Sequence, residues 1–220
     1  MGTITRNFAN NLTTSGLLKP DAFNNDSFDN VTAVPSGSVE TGDMQFISSA
    51  TASASAYIDF TSGIDSTFKE YIFYFVNIHS SSEQSFGVNF RDGGSLFDAT
   101  KTSSGQRAYH FENGTGSGFG YEAFLDLAQS TSLQQIGQPQ SSGDADSSGC
   151  GYLHLFNPSS TTFVKHYISH YVHHYTNSAP GEIDNYMAGY CNTTSAIDGA
   201  RFQMDSGDID SGQILLFGVN

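Results

Sequence analysis

From Met44 onward the chain reads as one strand after another, with apolar and polar residues alternating at a period of two. Ala54, Ala56, Ile58 and Phe60 alternate with Ser55, Tyr57 and Asp59. Residues 70–78, Glu70-Tyr-Ile-Phe-Tyr-Phe-Val-Asn-Ile78, are apolar on both faces, which predicts a central strand covered twice. Further strands are predicted at 86–90, 109–111, 121–125, 152–156, 162–175, 184–190, 200–204 and 213–217. Turn signals separate most of them: Arg91-Asp-Gly-Gly94, the glycine-rich run 113–120, the polar stretch 141–149 and Asn157-Pro158. That makes about nine or ten strands with no competing helical periodicity, and under about a tenth of the domain helical. The expected fold is all-β, an antiparallel β-sandwich of jelly-roll type.

Residues 1–42 have a different pattern. Phe8, Leu12, Leu17, Leu18, Phe23 and Phe28 stand singly or in pairs among Asn, Asp and Thr, and Pro20 and Pro35 break any long helix. Such a segment buries too little to fold alone, yet has too many large apolar side chains for a solvated tail. It is expected to be an extended anchoring arm and linker, ahead of a surface domain at 43–220.

Composition narrows the function. Of 220 residues only 14% are charged, and 8 basic against 22 acidic residues give a net charge of -14. Binding to nucleic acid or to an anionic membrane surface needs clustered Lys and Arg, so neither is expected. No apolar run approaches the roughly 20 residues of a membrane span, and the first residues lack a basic-then-apolar leader. The chain is therefore expected to be made and assembled in a cytoplasm.

The candidate chemistry is sparse. In Val164-Lys-His-Tyr-Ile-Ser-His-Tyr-Val-His-His-Tyr175, β-branched and aromatic residues favour a strand. His166, His170 and His174 then share one face, while Tyr167, Tyr171, His173 and Tyr175 share the other. Successive histidines on that face lie about 13 Å apart, too far to share a metal. These seven rings are more than solvent is expected to meet, so they are the predicted oligomer interface. An unperturbed imidazole titrates near pH 6.5, so that contact is expected to loosen below about pH 6. Aspartates cluster at 205–210 and at Asp144 and Asp146, both read as turns. Cys150 and Cys191 read as small buried residues, with their pairing open. No nucleophile elbow, phosphate loop or zinc-protease motif is present, so no catalytic residue, metal ligand or cofactor is assigned.

Several stretches carry a resemblance. They are residues 47–67 (Ile47-Ser-Ser-Ala-Thr-Ala-Ser-Ala-Ser-Ala-Tyr-Ile-Asp-Phe60 and onward), Tyr71-Ile-Phe-Tyr-Phe-Val-Asn-Ile-His79, Leu127-Ala-Gln-Ser-Thr131, residues 155–166 and residues 189–198. Together they resemble small virion structural proteins of tailed bacteriophages that infect aquatic bacteria, described as tail-fibre or related surface proteins. The resemblance implies a β-sandwich on the particle surface, joined to capsid or tail proteins through the arm. It also implies a homotrimer, a role in host attachment and no enzymatic activity. Capsid decoration is the alternative role. A third reading, a soluble carbohydrate-binding module, would use Tyr109, Tyr121 or Tyr152 as platforms for host-surface glycan. This chain departs from the family in its His-rich strand and in the loop Ser80-Ser-Ser-Glu-Gln84.

Overall fold

A computed structural model describes residues 44–138, 145–175 and 179–220. The expected arm at 1–42, with Phe8, Leu12, Leu17, Leu18, Phe23 and Phe28, lies outside the described residues, as does Asp144.

The strands are β1 (Met44–Ser55), β2 (Ile58–Phe60), β3 (Glu70–Ser80), β4 (Phe86–Arg91), β5 (Lys101–Phe111), β6 (Ser117–Tyr121), β7 (Leu127–Ser130), β8 (Gln134–Gln135), β9 (Gly149–Phe156), β10 (Lys165–Tyr175), β11 (Gly181–Cys191), β12 (Gly199–Met204) and β13 (Ile209–Val219). Among the described residues the helical content is one 3-10 turn, Ala123–Leu125. All pairings are antiparallel. A nine-stranded sheet runs β1-β13-β3-β9-β10-β11-β5-β6, with β7 also on β5, and a four-stranded sheet runs β2-β12-β4-β8.

Four strands of the large sheet, β1-β13-β3-β9, and all four of the small sheet interleave along the chain. Two insertions, β5 to β7 after β4 and β10–β11 after β9, carry the large sheet on beyond β9. The larger sheet's additional strands are thus the inserted ones, and the small sheet still covers the inner face of β10, where Tyr171 meets Phe86 and Tyr167 meets Phe90.

The core is aromatic. Tyr71, Phe73 and Phe75 from β3 meet Phe60, Phe86, Phe90 and Phe202 from the small sheet, all fully or almost fully buried. Phe202 is the hub: its ring lies 5.0 Å from Phe73, 5.2 Å from Phe75, 6.0 Å from Phe86 and 6.1 Å from Phe60. Three of these contacts are edge-on, so ring edges meet ring faces, and Phe86 stacks on Phe202 at 21°.

Three local expectations change. The alternation through residues 54–60 reads as one strand, but Ala54 takes φ 47° and the chain passes there from the large sheet (β1) to the small one (β2). The strand expected at 121–125 is the end of β6 followed by the 3-10 turn, and the glycine-rich run before it is largely β6 itself. β3 is covered fully on one face only. On the other, Ile72 is buried and Tyr74 half-buried between neighbouring side chains, while Val76 is 41% exposed. The 205–210 segment is the β12–β13 turn, with Gly207 at φ 71° and the Asp205 carboxylate accepting from the Ser85 amide at 3.1 Å.

Candidate functional site

β10 alternates as its sequence dictates, and the small sheet decides which face is inside. Tyr167, Tyr171 and His173 are 0%, 0% and 2% exposed, sealed within the chain's own sandwich. They are therefore not available to a partner, and the expected interface loses these three members. The Tyr167 hydroxyl donates to Gln134 Oε1 at 3.0 Å, and burial pushes its phenol well above the usual range. Tyr171 occupies space left by Gly137 and Gly149, where a Cβ would come within 2.5 Å and 2.1 Å of its ring atoms. Burial pushes the His173 imidazole down to about 4. His166, His170 and His174 face outward, and Tyr175 is half-buried at the end of the strand.

The outward histidines do not neighbour one another. His170 Nε2 lies 2.5 Å from Asp184 Oδ1, and His174 Nε2 lies 3.8 Å from Glu112 Oε1. On β9, His154 pairs with Glu70. Protonating these rings would add attraction within the chain, not the repulsion on which the expected loosening below pH 6 depended.

The outer face of the large sheet, turned away from the small sheet, carries a continuous row of rings. Strand register places Leu215, Tyr74, Tyr152, His170, Tyr186, Gln106 and Tyr121 in one cross-strand line. Phe46 and Phe217 (5.5 Å) extend it through Tyr74 (5.7 Å), Tyr74 meets Tyr152 (6.4 Å), and Tyr152 meets His170 edge-on (5.6 Å). The row closes with His170 stacked on Tyr186 at 4.1 Å and 9°. Six rings on six neighbouring strands span about 24 Å at ordinary strand spacing. Each strand presents a tall ring here because residues i and i+2 share a face, and small residues flank the line.

Those small residues make a groove. A cavity of about 450 Å³ is lined by Ser104, Ile168 and Ala188 together with Tyr152, His170, Tyr186 and Tyr121 of the cross-strand line. Tyr186 is 41% exposed and Tyr121 70% exposed. Asp184 braces His170 and, lying beside Tyr186, pushes that phenol up. The Tyr121 hydroxyl donates to Asp126, which raises the Tyr121 phenol. The groove thus offers flat apolar faces edged with carboxylates and hydroxyls. Of the three tyrosines proposed from sequence as sugar platforms, Tyr121 and Tyr152 come together here. Tyr109 does not: it packs with Phe111 on the inner face of β5, 5.4 Å from the Arg107 guanidinium. Sequence reasoning missed Tyr186, His154 and the carboxylate Asp184, whose approach depends on register.

A second cluster is buried instead. Cys191 is paired across the sheet with Lys165 on one side and Lys101 on the other, all three 0% exposed. Lys101 Nζ donates to Asn89 Oδ1 at 2.8 Å and to the Ala99 carbonyl at 3.1 Å. Lys165 Nζ donates to the carbonyls of Thr193 (2.9 Å) and Ser195. Both cysteines are free. Cys150 pairs with Val172 and Cys191 with Lys165, seven residues apart along β10, so about 23 Å separates them. Burial pushes the Cys191 thiol up to about 12, which makes it a packing group and not a nucleophile.

Burial lowers Lys101 to about 8 and also lowers Lys165. A lysine with a native pKa below its unfolded one binds more protons unfolded, so stability rises with pH between the two values. Unfolding stability is therefore expected to gain about 1 kcal/mol from pH 8 to pH 9. Above pH 9 the Cys191 thiol, ionisable only when unfolded, offsets further gain. Urea titrations at pH 7, 8, 9 and 10 would reveal the rise and plateau, and Lys101→Met should flatten the rise. A monotonic fall from pH 7 would contradict it.

No protein-family model and no curated protein matches the chain.

Proposed function

We propose that the chain is a non-enzymatic virion surface protein of a tailed bacteriophage. It is assembled in the host cytoplasm, mounted on capsid or tail proteins through residues 1–42, and acts in host adsorption as a short tail fibre or spike. Its sandwich is a jelly roll with two insertions, a reading supported by the interleaving of β1-β13-β3-β9 with β2-β12-β4-β8. The observation that carries the adsorption role is the ring-lined groove on the outer face of the large sheet. Tyr152, His170, Tyr186 and Tyr121 line it, with Tyr186 and Tyr121 41% and 70% exposed, and exposed aromatic faces stack on sugar rings, whose C–H groups are apolar. The inserted strands β10, β11 and β5 build most of it, so the groove is an addition to the sandwich and not a by-product of its core. Homotrimer formation belongs to the same reading. Of its expected contact residues, His166, His174 and Tyr175 lie outside the core and outside the groove and are left to make it, while His170 lines the groove.

Pre-incubating host cells with purified full-length protein is expected to slow phage adsorption several-fold. Oxidising the cell-surface sugars with periodate should abolish binding of the labelled protein. Tyr186→Ala and Tyr152→Ala should each weaken that binding roughly 3- to 10-fold, the value of one aromatic contact. Wild-type protein that neither binds cells nor competes with the phage would overturn the reading.

A further inference from the structure

The few cations of this chain all lie away from the ring groove. Of the 8 Lys and Arg residues, Arg6 and Lys19 are outside the described residues. Lys101 and Lys165 are buried on the inner side of the large sheet, and Arg107 shares that side, held by Gln138 and Glu122. Arg91 and Arg201 belong to the small sheet, paired with Asp198 and Asp59. Lys69 stands five residues ahead of Tyr74, about 16 Å along the strand direction. Among the described residues, no strand position on the outer face of the large sheet is therefore a Lys or an Arg. Taking the groove on that face as a glycan site, on which this step rests, we infer that it selects uncharged and amino-bearing glycans and rejects those carrying carboxylate or phosphate groups.

The anions of the same face point the same way. Asp184 lies two residues from Tyr186 on one face of β11, about 7 Å along the strand. That is inside the screening length of about 8 Å at physiological salt. Glu182, two residues further on, is about 13 Å from Tyr186 and beyond it. Asp126 accepts from the Tyr121 hydroxyl. The negative potential is felt by its neighbours: Asp184 pushes the Tyr186 phenol up, and burial and then Asp184 push the Glu182 carboxyl up. The backbone offers an anion no substitute for Lys or Arg. Free N–H groups at helix ends or turns can hold one, but β9, β10, β11 and β5 spend theirs on their ladders. The lining supplies neutral donors instead, Ser104, Gln106 and the tyrosine hydroxyls, which suit sugar hydroxyls. An acidic sugar would sit unpaired near Asp184. A like charge about 7 Å away lowers affinity about threefold in water-like surroundings, and more where the glycan excludes water.

The test is binding of the labelled full chain to immobilised oligosaccharides of matched length: neutral, amino-bearing, uronate-bearing and phosphorylated. It is run at about 0.15 M and about 0.01 M salt, where screening lengths are roughly 8 and 30 Å. Neutral and amino-bearing members should bind, with acidic ones at least about threefold weaker and the gap wider at low salt. Asp184→Asn should narrow the gap at both salt concentrations, and Glu182→Gln only at the lower one. Acidic members bound as well as neutral ones, or a gap indifferent to salt, would overturn the selectivity and leave the glycan site standing. A gap that Asp184→Asn does not narrow would do the same; if that variant fails to fold, the salt dependence of the unaltered chain decides alone. Binding to no member, or binding that Tyr186→Ala leaves intact, would overturn the glycan site and the selectivity with it.

Discussion

Phe202→Ala is expected to destabilise the sandwich by about 4 kcal/mol, within the range for deleting a fully buried ring. Its side chain is 0% exposed and touches rings from both sheets: Phe73 and Phe75 from the large one, Phe60 and Phe86 from the small one. Rings held edge to face on three sides and stacked on the fourth cannot close over the space left behind, because each is itself wedged between others. The cavity term therefore adds to the lost transfer energy instead of being relaxed away. In a domain of this size such a loss lowers Tm by roughly 8–16 °C. Phe46→Ala is the matched comparison, since that ring is 59% exposed and among the described residues meets one other ring, Phe217, on the outer face. It should cost about 1 kcal/mol or less. Denaturant midpoints for the two variants that fall within experimental error of each other would refute the ring hub.

Gly151→Ala should be as damaging although it adds a single carbon. A Cβ at Gly151 would stand 2.2 Å from the His170 carbonyl oxygen and 2.9 Å from Tyr171 Cα. Both atoms are backbone of β10, and Gly151 is the register partner of Tyr171. A clash with a flexible side chain is relieved by a rotamer change, whereas this one forces β9 and β10 apart at the middle of the large sheet. About 3 kcal/mol is expected, the upper end of overpacking costs. Gly120→Ala, where an added Cβ meets nothing within 4 Å, should shift stability by about 0.5 kcal/mol or less. Indistinguishable melting curves for the two would show that the strands part more easily than their pairing implies.

Much of the fold was legible in the sequence because two-residue alternation survives wherever one face of a strand is buried. β9, β10, β12 and β13 announced themselves in this way, and β3 by an apolar run on both faces. β5 did not. Its inner positions include Lys101, Ser103, Gly105 and Arg107, polar or bare because Leu125 packs where a Gly105 side chain would stand. Lys101 reaches Asn89 of the small sheet and the bare Gly105 is covered by Leu125, so these inner positions are buried without carrying the hydrophobic signal that would identify a strand. For β10 the alternation separated the two faces correctly but could not say which was inside. Seven rings looked surplus to one chain only because Gly137 and Gly149, which make room for Tyr171, are distant in sequence and unassignable without register. The groove was half visible. Tyr121 and Tyr152 were chosen for their chemistry, whereas Tyr186 and Asp184 join them only through the β10–β11 pairing.

β1 and β13 pair along nearly their whole length, with Met44 opposite Val219. The sandwich therefore begins and closes at one corner. For anyone re-engineering the molecule this makes the two ends interchangeable handles: a fluorophore or fusion partner attached after Asn220 departs beside residue 44. It would report on the corner where β1 and β13 meet and leave the groove, which begins three strands along the sheet order at β9, unencumbered. The same adjacency allows a short glycine bridge to join the two ends into a circularly permuted chain, with its new opening at an exposed turn such as Gly93–Gly94.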